Sequence, residues 1–144
     1  MKKPKLTKNN SKSKKTIKSI TKKEPLKIRW LSEETTHDYY AARSYLSLIY
    51  NDTKINSMIQ KFENSSVSHF KAKDIFRASQ LSLLGVSNHH VKRDKNKIKQ
   101  GVRLVPILLV RDDKQGRVII ADGYHRLCAV YKLDKDANVP CKII

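Results

Sequence analysis

The sequence predicts an α+β fold in which a small mixed sheet with helices is preceded by a helical hairpin. Two apolar segments, 105–111 and 118–120, flank a glycine turn as the strands of a β-hairpin do. Two amphipathic segments, 38–50 and 51–62, follow each other closely, as the helices of a helical hairpin do. With 144 residues, of which 39% are apolar, the chain has room for one compact domain of this kind.

The positive charge is concentrated at the N-terminus. The chain has 31 basic and 13 acidic residues, a net charge of +18, and residues 1–29 hold eleven Lys, one Arg and one acid, so they carry +11. Because this segment has few large apolar side chains, we expect a disordered basic tail. Its lysines could neutralise nucleic-acid phosphates, contact anionic lipid or serve as a localisation signal; a purely solvating extension is the alternative.

Neither a secretory signal nor a membrane span is predicted. No apolar segment follows the lysines, and Lys predominates over the Arg that is typical of mitochondrial transit peptides. The apolar run at 105–110 has six residues, whereas a transmembrane helix needs about 20. Cys128 and Cys141 are too few for a disulfide-stapled fold, so we expect a reducing, cytoplasmic setting.

The N-terminal hairpin, residues 30–66, is predicted from helix-start signals and apolar spacing. A polar, acid-rich segment precedes the first helix at 38–50, and Asn51 can cap the second. The apolar stripes consist of Ala42, Leu46, Ile49 and Tyr50 in the first helix, and of Ile55, Met58, Ile59 and Phe62 in the second. Both stripes favour a packing role for the hairpin.

The segment after the hairpin has weaker patterns. An extended stretch is expected at 67–70, residues 71–79 mix helical and strand periods and receive no assignment, and 80–87 indicate a loop or a short helical turn.

A very basic helix is predicted over 89–100, capped by Ser87 or Asn88 and followed by Gly101. Its cations are Lys92, Arg93, Lys95, Lys97 and Lys99, against the single acid Asp94, while Val91 and Ile98 are its core-facing residues. A charge run of this kind is usually a solvated face, and the alternative is an anion-binding groove.

The C-terminal part alternates strands with a helix. The strand at 105–111 is joined to the strand at 118–120 by a turn in which Gly116 can take the positive φ that a hairpin needs. A helix is predicted at about 124–132, and a last strand at 139–144.

The segment 119–129 carries the most chemical information, because it combines a buried strand, a glycine turn and a helix whose first turn holds His and Arg. Free backbone N–H groups and the positive end of the helix dipole meet there. Gly123 permits close approach of a ligand, Arg126 offers a planar fork for phosphate oxygens, and His125 adds a donor or an acid/base group. These features indicate a phosphate cradle; a capped, solvated turn is the alternative.

Residues 69–144 resemble the ParB/sulfiredoxin superfamily, which includes the ParB-like nuclease domain. The resemblance comprises the strand Val105–Val110, the segment Val118–Val130 with its Asp-Gly-Tyr-His-Arg turn, and the strand Val139–Ile143, in the family's order. The turn is similar to the Asp-Gly-His-His-Arg turn of free-serine kinases in this superfamily. The resemblance implies a ParB/sulfiredoxin-like domain over 67–144.

In that superfamily the turn grips nucleotide phosphates. The resemblance therefore implies a nucleoside triphosphate or diphosphate, with Mg²⁺, as the bound group. The implied nucleotide contacts are Gly123, Tyr124, His125, Arg126, Arg77, Lys92, Arg93 and Lys97. Asp122 and His125 are the candidate catalytic residues. The kinases use a Glu as base, and no Glu occurs here between positions 64 and 144, so Asp74 or Asp122 would have to substitute for it.

The chain also departs from the branches that it resembles. Tyr124 stands where sulfiredoxins carry their catalytic cysteine, so sulfinic-acid repair is not expected, and Cys128 falls on an apolar helical stripe that places it in the core. The arginine-rich box and helix-turn-helix of ParB are not recognised. No metal site is predicted, because the adjacent His89 and His90 lack partners at ligand spacing.

Three functions stay open on these grounds. The leading hypothesis is a nucleotide-binding domain, extending to phosphotransfer or nucleotide hydrolysis at the Asp-Gly-Tyr-His-Arg turn. The second is a non-enzymatic, DNA- or RNA-associated ParB-like protein that uses the basic tail. The third is a toxin- or antitoxin-like interaction module with the 38–62 hairpin as its partner surface.

Overall fold

The computed structural model describes residues 2–4, 26–85 and 88–144. Within them lie α1 (Thr36–Leu46), α2 (Asp52–Asn64), β1 (Ser68–Lys71), α3 (Ala72–Ser79), α4 (His89–Lys99), β2 (Ile107–Asp112), β3 (Arg117–Asp122), α5 (Tyr124–Leu133) and β4 (Asn138–Ile143). The tail predicted at 1–29 falls for the most part outside the described residues.

The four strands form one mixed sheet in the order β1-β4-β2-β3. β1 is antiparallel to β4, β4 is parallel to β2, and β2 is antiparallel to β3. The predicted β2–β3 hairpin is present, and Gly116 in its turn has a φ of +63°. The combination of a mixed sheet with helices confirms the α+β class.

Helices cover both faces of the sheet, because side chains alternate along each strand. Ile107 and Leu109 of β2 enter a core shared with α3, α4 and α5. Leu108 and Val110, the alternate residues, pack against α1 and α2. The predicted stripe of α2 lies in this second core: Ile55, Met58, Ile59 and Phe62 are at most 9% exposed. The helical hairpin is therefore a layer on the sheet.

A buried ion pair ties the start of the hairpin to β4. Lys142 Nζ lies 3.3 Å from Glu34 Oε2 and donates to the hydroxyl of Tyr39 at 3.1 Å. Burial disfavours the charged form of Lys142, but the hydrogen bond to Tyr39 and the charge of Glu34 outweigh it and raise its pKa. The ammonium group of Lys142 therefore keeps its charge at this junction.

The entry to α1 is held against the chain that precedes β2. The Leu31 N–H donates to the Leu104 carbonyl at 2.7 Å, and the Leu104 N–H donates to the Arg29 carbonyl at 2.8 Å. Asp38 then closes a capping box, since its Oδ2 accepts from the N–H and the hydroxyl of Thr35 at 2.7 and 2.6 Å. The helix α1 that starts here packs beside β3.

The first helix is shorter than its apolar spacing predicts. α1 ends at Leu46, and the chain then turns so that the Asn51 side chain can cap α2 by accepting from the Lys54 N–H at 2.9 Å. Ile49, which was expected on the buried stripe, is therefore 43% exposed.

α3 is an element that the sequence patterns do not assign. Its buried positions are Ala72, Ile75, Phe76 and Ser79, which follow helical spacing. The pattern is hard to read because one buried position is a serine and the helix has only 8 residues. Residues 81–85, in the segment expected to be a loop or a short helical turn, contain no helix.

Both cysteines are buried, and Cys128 lies in the core as predicted. Burial raises the pKa of Cys141 to about 12, so its thiol is protonated at neutral pH. In the part of the chain that the structure describes, no helix is long and apolar enough to cross a membrane.

Candidate functional site

The turn between β3 and α5 is built around Gly123. This glycine has a φ of +102°, and a Cβ added to it would lie 2.9 Å from both Arg126 Nη2 and Ile107 Cγ1. A side chain at this position would be strained by the backbone conformation and would clash with its neighbours. The absence of a side chain lets Arg126 fold back over the turn.

Arg126 is held in place by two acceptors. Its Nη2 donates to Asp122 Oδ2 and to the Pro106 carbonyl, each at 3.2 Å. The side chains of Arg126 and Asp122 are both only 16% exposed. The Nε of Arg126 is also buried and has no hydrogen-bond partner among the described residues. The guanidinium is thus fixed by the fold, with donor capacity that the described residues do not use.

A cavity of about 470 Å³ opens beside this turn and has three walls. The first is the turn itself with the start of α5, Asp122 to Arg126. The second is α4 with the segment that follows it, through Arg93, Asp94, Lys97, Arg103, Leu104 and Val105; the third is the start of α1, through Thr35, His37, Asp38 and Ala41. We call this the candidate phosphate pocket.

The charges around the pocket are partly compensated. Asp38 is engaged in its capping box, Asp122 pairs with Arg126, and Asp94 lies 3.8 Å from Arg93. Lys97 and Arg103 make no ion pair with a carboxylate of the described residues. Both are exposed, so the pocket offers two cations for which the described residues provide no anion.

His125 lies against His90, with their ring centroids 4.8 Å apart. Burial and the nearby His90 lower the pKa of His125, Arg93 acts in the same direction, and Asp94 opposes them. The imidazole is therefore neutral at pH 7 and can accept or donate one proton.

The pKa of Asp122 is shifted in the opposite direction to that of His125, namely upward. Burial raises the pKa of its carboxyl group, although Arg126 works against this through its charge and its hydrogen bond. Asp38 across the pocket adds a smaller upward contribution. The pocket is thus lined by a carboxyl group of raised pKa and by a neutral imidazole, two groups that can take part in proton transfer.

Tyr124 lines the pocket, but its hydroxyl donates to the Ser82 carbonyl of the loop before α4. Its ring lies 5.6 Å from that of His125, centroid to centroid. Tyr124 therefore connects this loop to the pocket wall.

Two of the predicted contacts do not line the pocket. Lys92 lies on the outer side of α4, at a neighbouring cavity that shares Arg93 and Lys97 with the pocket. Arg77 lies on α3 at a third cavity that shares no residue with the pocket. Its side chain is 85% exposed and points to a different region of the surface, because α3 packs beside β1 and β3.

The structure adds pocket residues that sequence reasoning did not select, namely His37, Asp38 and Arg103. The Thr35–Asp38 capping box is visible in the sequence as a helix start. The packing of α1 on β3 brings this helix start to the same pocket as Asp122, and the sequence does not predict that packing.

Comparison of the chain with protein-family models, with curated proteins and with solved structures gives no match. Among the described residues, no group of three or more His, Cys, Asp or Glu side chains is arranged to hold a metal ion.

Proposed function

We propose that the chain is a nucleotide-binding domain of the ParB/sulfiredoxin type, with its phosphate site at the turn from Asp122 to Arg126. The observation that carries the proposal is the position of Arg126, fixed over Gly123 at the first turn of α5 and facing a pocket with two cations that lack carboxylate partners. The resemblance of residues 69–144 to this superfamily supports the same site.

The backbone of α5 supplies the first phosphate contacts in this proposal. The Leu127 N–H bonds to the Gly123 carbonyl at 2.9 Å, so the N–H groups of the three preceding residues have no acceptor within the helix. An anion at this helix end gains from these donors and from the helix dipole. Lys97 and Arg103 would bind further phosphate oxygens from the opposite wall.

A catalytic step, if the bound nucleotide reacts, would use Asp122 and His125. In hydrolysis, a water oxygen forms a bond to the terminal phosphorus as the bond to the leaving oxygen breaks. The carboxylate or the neutral imidazole accepts the water proton, and transfer to an acceptor hydroxyl follows the same scheme. Asp38 and Asp122 are engaged in internal hydrogen bonds, so Mg²⁺ would be held chiefly by the phosphates, where it would neutralise their charge.

Titration of the full chain with CTP, ATP and ADP, each with Mg²⁺, tests this proposal by calorimetry. At least one nucleotide should bind with submillimolar affinity, and Arg126→Ala should weaken binding by at least about tenfold. Lys132→Ala, an exposed change later in the same helix, should have no effect. If no nucleotide binds below the millimolar range, or if Arg126→Ala binds equally well while folded, the proposal is wrong.

Nucleic-acid binding is the second candidate, and the exposed cations of α4 favour it. Lys92, Arg93 and Lys97 line a shallow cavity on the outer face of this helix. For duplex DNA, the logarithm of the affinity should fall with the logarithm of salt concentration by about 0.9 per neutralised phosphate. Truncation before residue 26 keeps the Arg29–Leu104 contact and removes most of the basic tail. Loss of most of the slope would assign the binding to the tail, whereas a slope that remains would assign it to α4. Absence of salt-dependent binding by the full chain would rule out this candidate.

A further inference from the structure

A second cavity, of about 430 Å³, lies between α3 and the sheet, away from the candidate phosphate pocket. We call it the α3 cavity. Its volume falls within the range of about 300–1,000 Å³ that is usual for small-molecule sites. It shares no lining residue with the phosphate pocket, so the two cavities are separate.

The walls of the α3 cavity are mainly apolar. The apolar lining consists of Phe70, Ile75, Ala78, Leu109, Val118 and Ile143. Leu109 is paired with Ile143 across β2 and β4, so the two side chains form a continuous apolar floor on one face of the sheet. Phe70 remains 40% exposed, although aromatic surface gains from burial.

Two guanidinium groups lie at the edge of this apolar floor. Arg111 is paired with Val118 across β2 and β3, which places both on the cavity face, and Arg77 projects from α3. Arg77 lies 3.4 Å from Asp74, but the two side chains are 85% and 48% exposed, so their pair is weak. Arg111 makes no ion pair with a carboxylate of the described residues. Asp74 also lines the cavity, so the two arginines leave one net positive charge at its edge.

We propose that the α3 cavity binds a small aliphatic carboxylic acid. The carboxylate binds between Arg111 and Arg77, whose planar donor groups suit two carboxylate oxygens. The aliphatic chain lies on the floor of Leu109, Val118 and Ile143. The same positive edge disfavours the lysine-rich segment 1–29 as an occupant, because like charges would meet.

The test compares three probes that share one chain length and differ in the head group: octanoate, 1-octanol and octylamine. Binding to the full chain is followed by two-dimensional NMR of the backbone amides. Octanoate should bind saturably, with its shifts confined to α3 and to the strand residues around Leu109 and Val118. 1-Octanol should bind about tenfold more weakly, since it lacks the charge-assisted contacts, and octylamine more weakly still.

Variants separate the head-group contacts from the apolar contacts. Arg111→Gln should weaken octanoate binding about tenfold and leave 1-octanol binding unchanged. Ala78→Phe, which fills the cavity from the exposed end of α3, should weaken both. Lys99→Gln on α4 removes one charge remote from the cavity and should change neither.

The proposal would be overturned by the absence of saturable octanoate binding, by equal binding of octanoate and 1-octanol, or by full octanoate affinity in folded Arg111→Gln. If Ala78→Phe fails to fold, the octanoate affinities of Arg77→Gln and Arg111→Gln, both expected to be lower, are sufficient to test the proposal. Shifts at 122–126 would assign octanoate to the phosphate pocket and would also overturn it. Nucleotide titration does not enter this test, so it is independent of the proposed nucleotide site.

Discussion

The guanidinium of Arg126 lies 3.2 Å from the carboxylate of Asp122, across the turn that joins β3 to α5. Both side chains are largely buried, so the pair is better shielded from water than a surface ion pair. The pairing fixes Arg126 at the mouth of the candidate phosphate pocket before any ligand binds. Because Asp122 neutralises part of the charge of Arg126, Lys97 and Arg103 on the opposite wall have to supply most of the positive charge that attracts an anion.

Gly123→Ala should destabilise the protein by at least about 2 kcal/mol, because a Cβ is strained at a φ of +102° and would contact Arg126 and Ile107. Gly116→Ala is the matched control. Its φ is +63°, but no atom lies within 4 Å of the added Cβ, so the cost should be about 1 kcal/mol. Urea unfolding of both variants measures the difference. Equal losses of unfolding free energy in the two variants would show that the close contacts around Gly123 do not contribute to the cost of the substitution.

Lys142→Met should cost about 3–5 kcal/mol, because it leaves the carboxylate of Glu34 buried without a cation. The double variant Glu34→Leu with Lys142→Met should recover much of that loss, since it removes both buried charges. Chemical denaturation of Lys142→Met, of Glu34→Leu and of the double variant tests this. Additive losses in the double variant would show that the two side chains do not depend on each other.

The stability of the protein should fall as the pH is lowered from 7 to 5, in part through His125. The pKa of its imidazole is lowered in the folded state, so the unfolded chain binds the proton more readily. This contribution is present above the unfolded pKa of about 6.5 and is lost as the pH falls through that value towards the folded pKa. Urea midpoints should depend on pH more steeply for the unaltered protein than for His125→Asn. Parallel curves would exclude His125 as the source.

Lys97→Ala combined with Arg103→Ala should weaken nucleotide binding by about tenfold without changing stability, because both side chains are exposed and lack carboxylate partners. Lys92→Ala combined with Lys99→Ala also removes two positive charges, both from α4 and outside the pocket, and should weaken nucleotide binding much less. Calorimetric titration with the tightest nucleotide gives the comparison. Equal effects of the two double variants would mean that the general charge of α4 matters and the pocket wall does not.

Individual residues show which features of the structure can be predicted from the sequence. The stripe Ile55–Phe62 and the Asn51 cap depend on contacts within one or two helical turns, and both are found as predicted. The turn at Gly123 is likewise local. α3 was not assigned because its apolar stripe is short and its last buried position is a serine. α1 was predicted too long because the packing decides where the chain leaves the helix.

The sequence by itself determined the α+β class, most helices and strands, and the Asp122–Arg126 turn, because these depend on spacing of about two to four residues along the chain. The tertiary structure decided which surfaces meet. It placed Asp38 and Arg103 beside this turn, placed Arg77 at another cavity, and joined Lys142 to Tyr39, which is 103 positions away in the chain. Such contacts arise when the two faces of the sheet are covered, and no local pattern encodes which helix covers which strand.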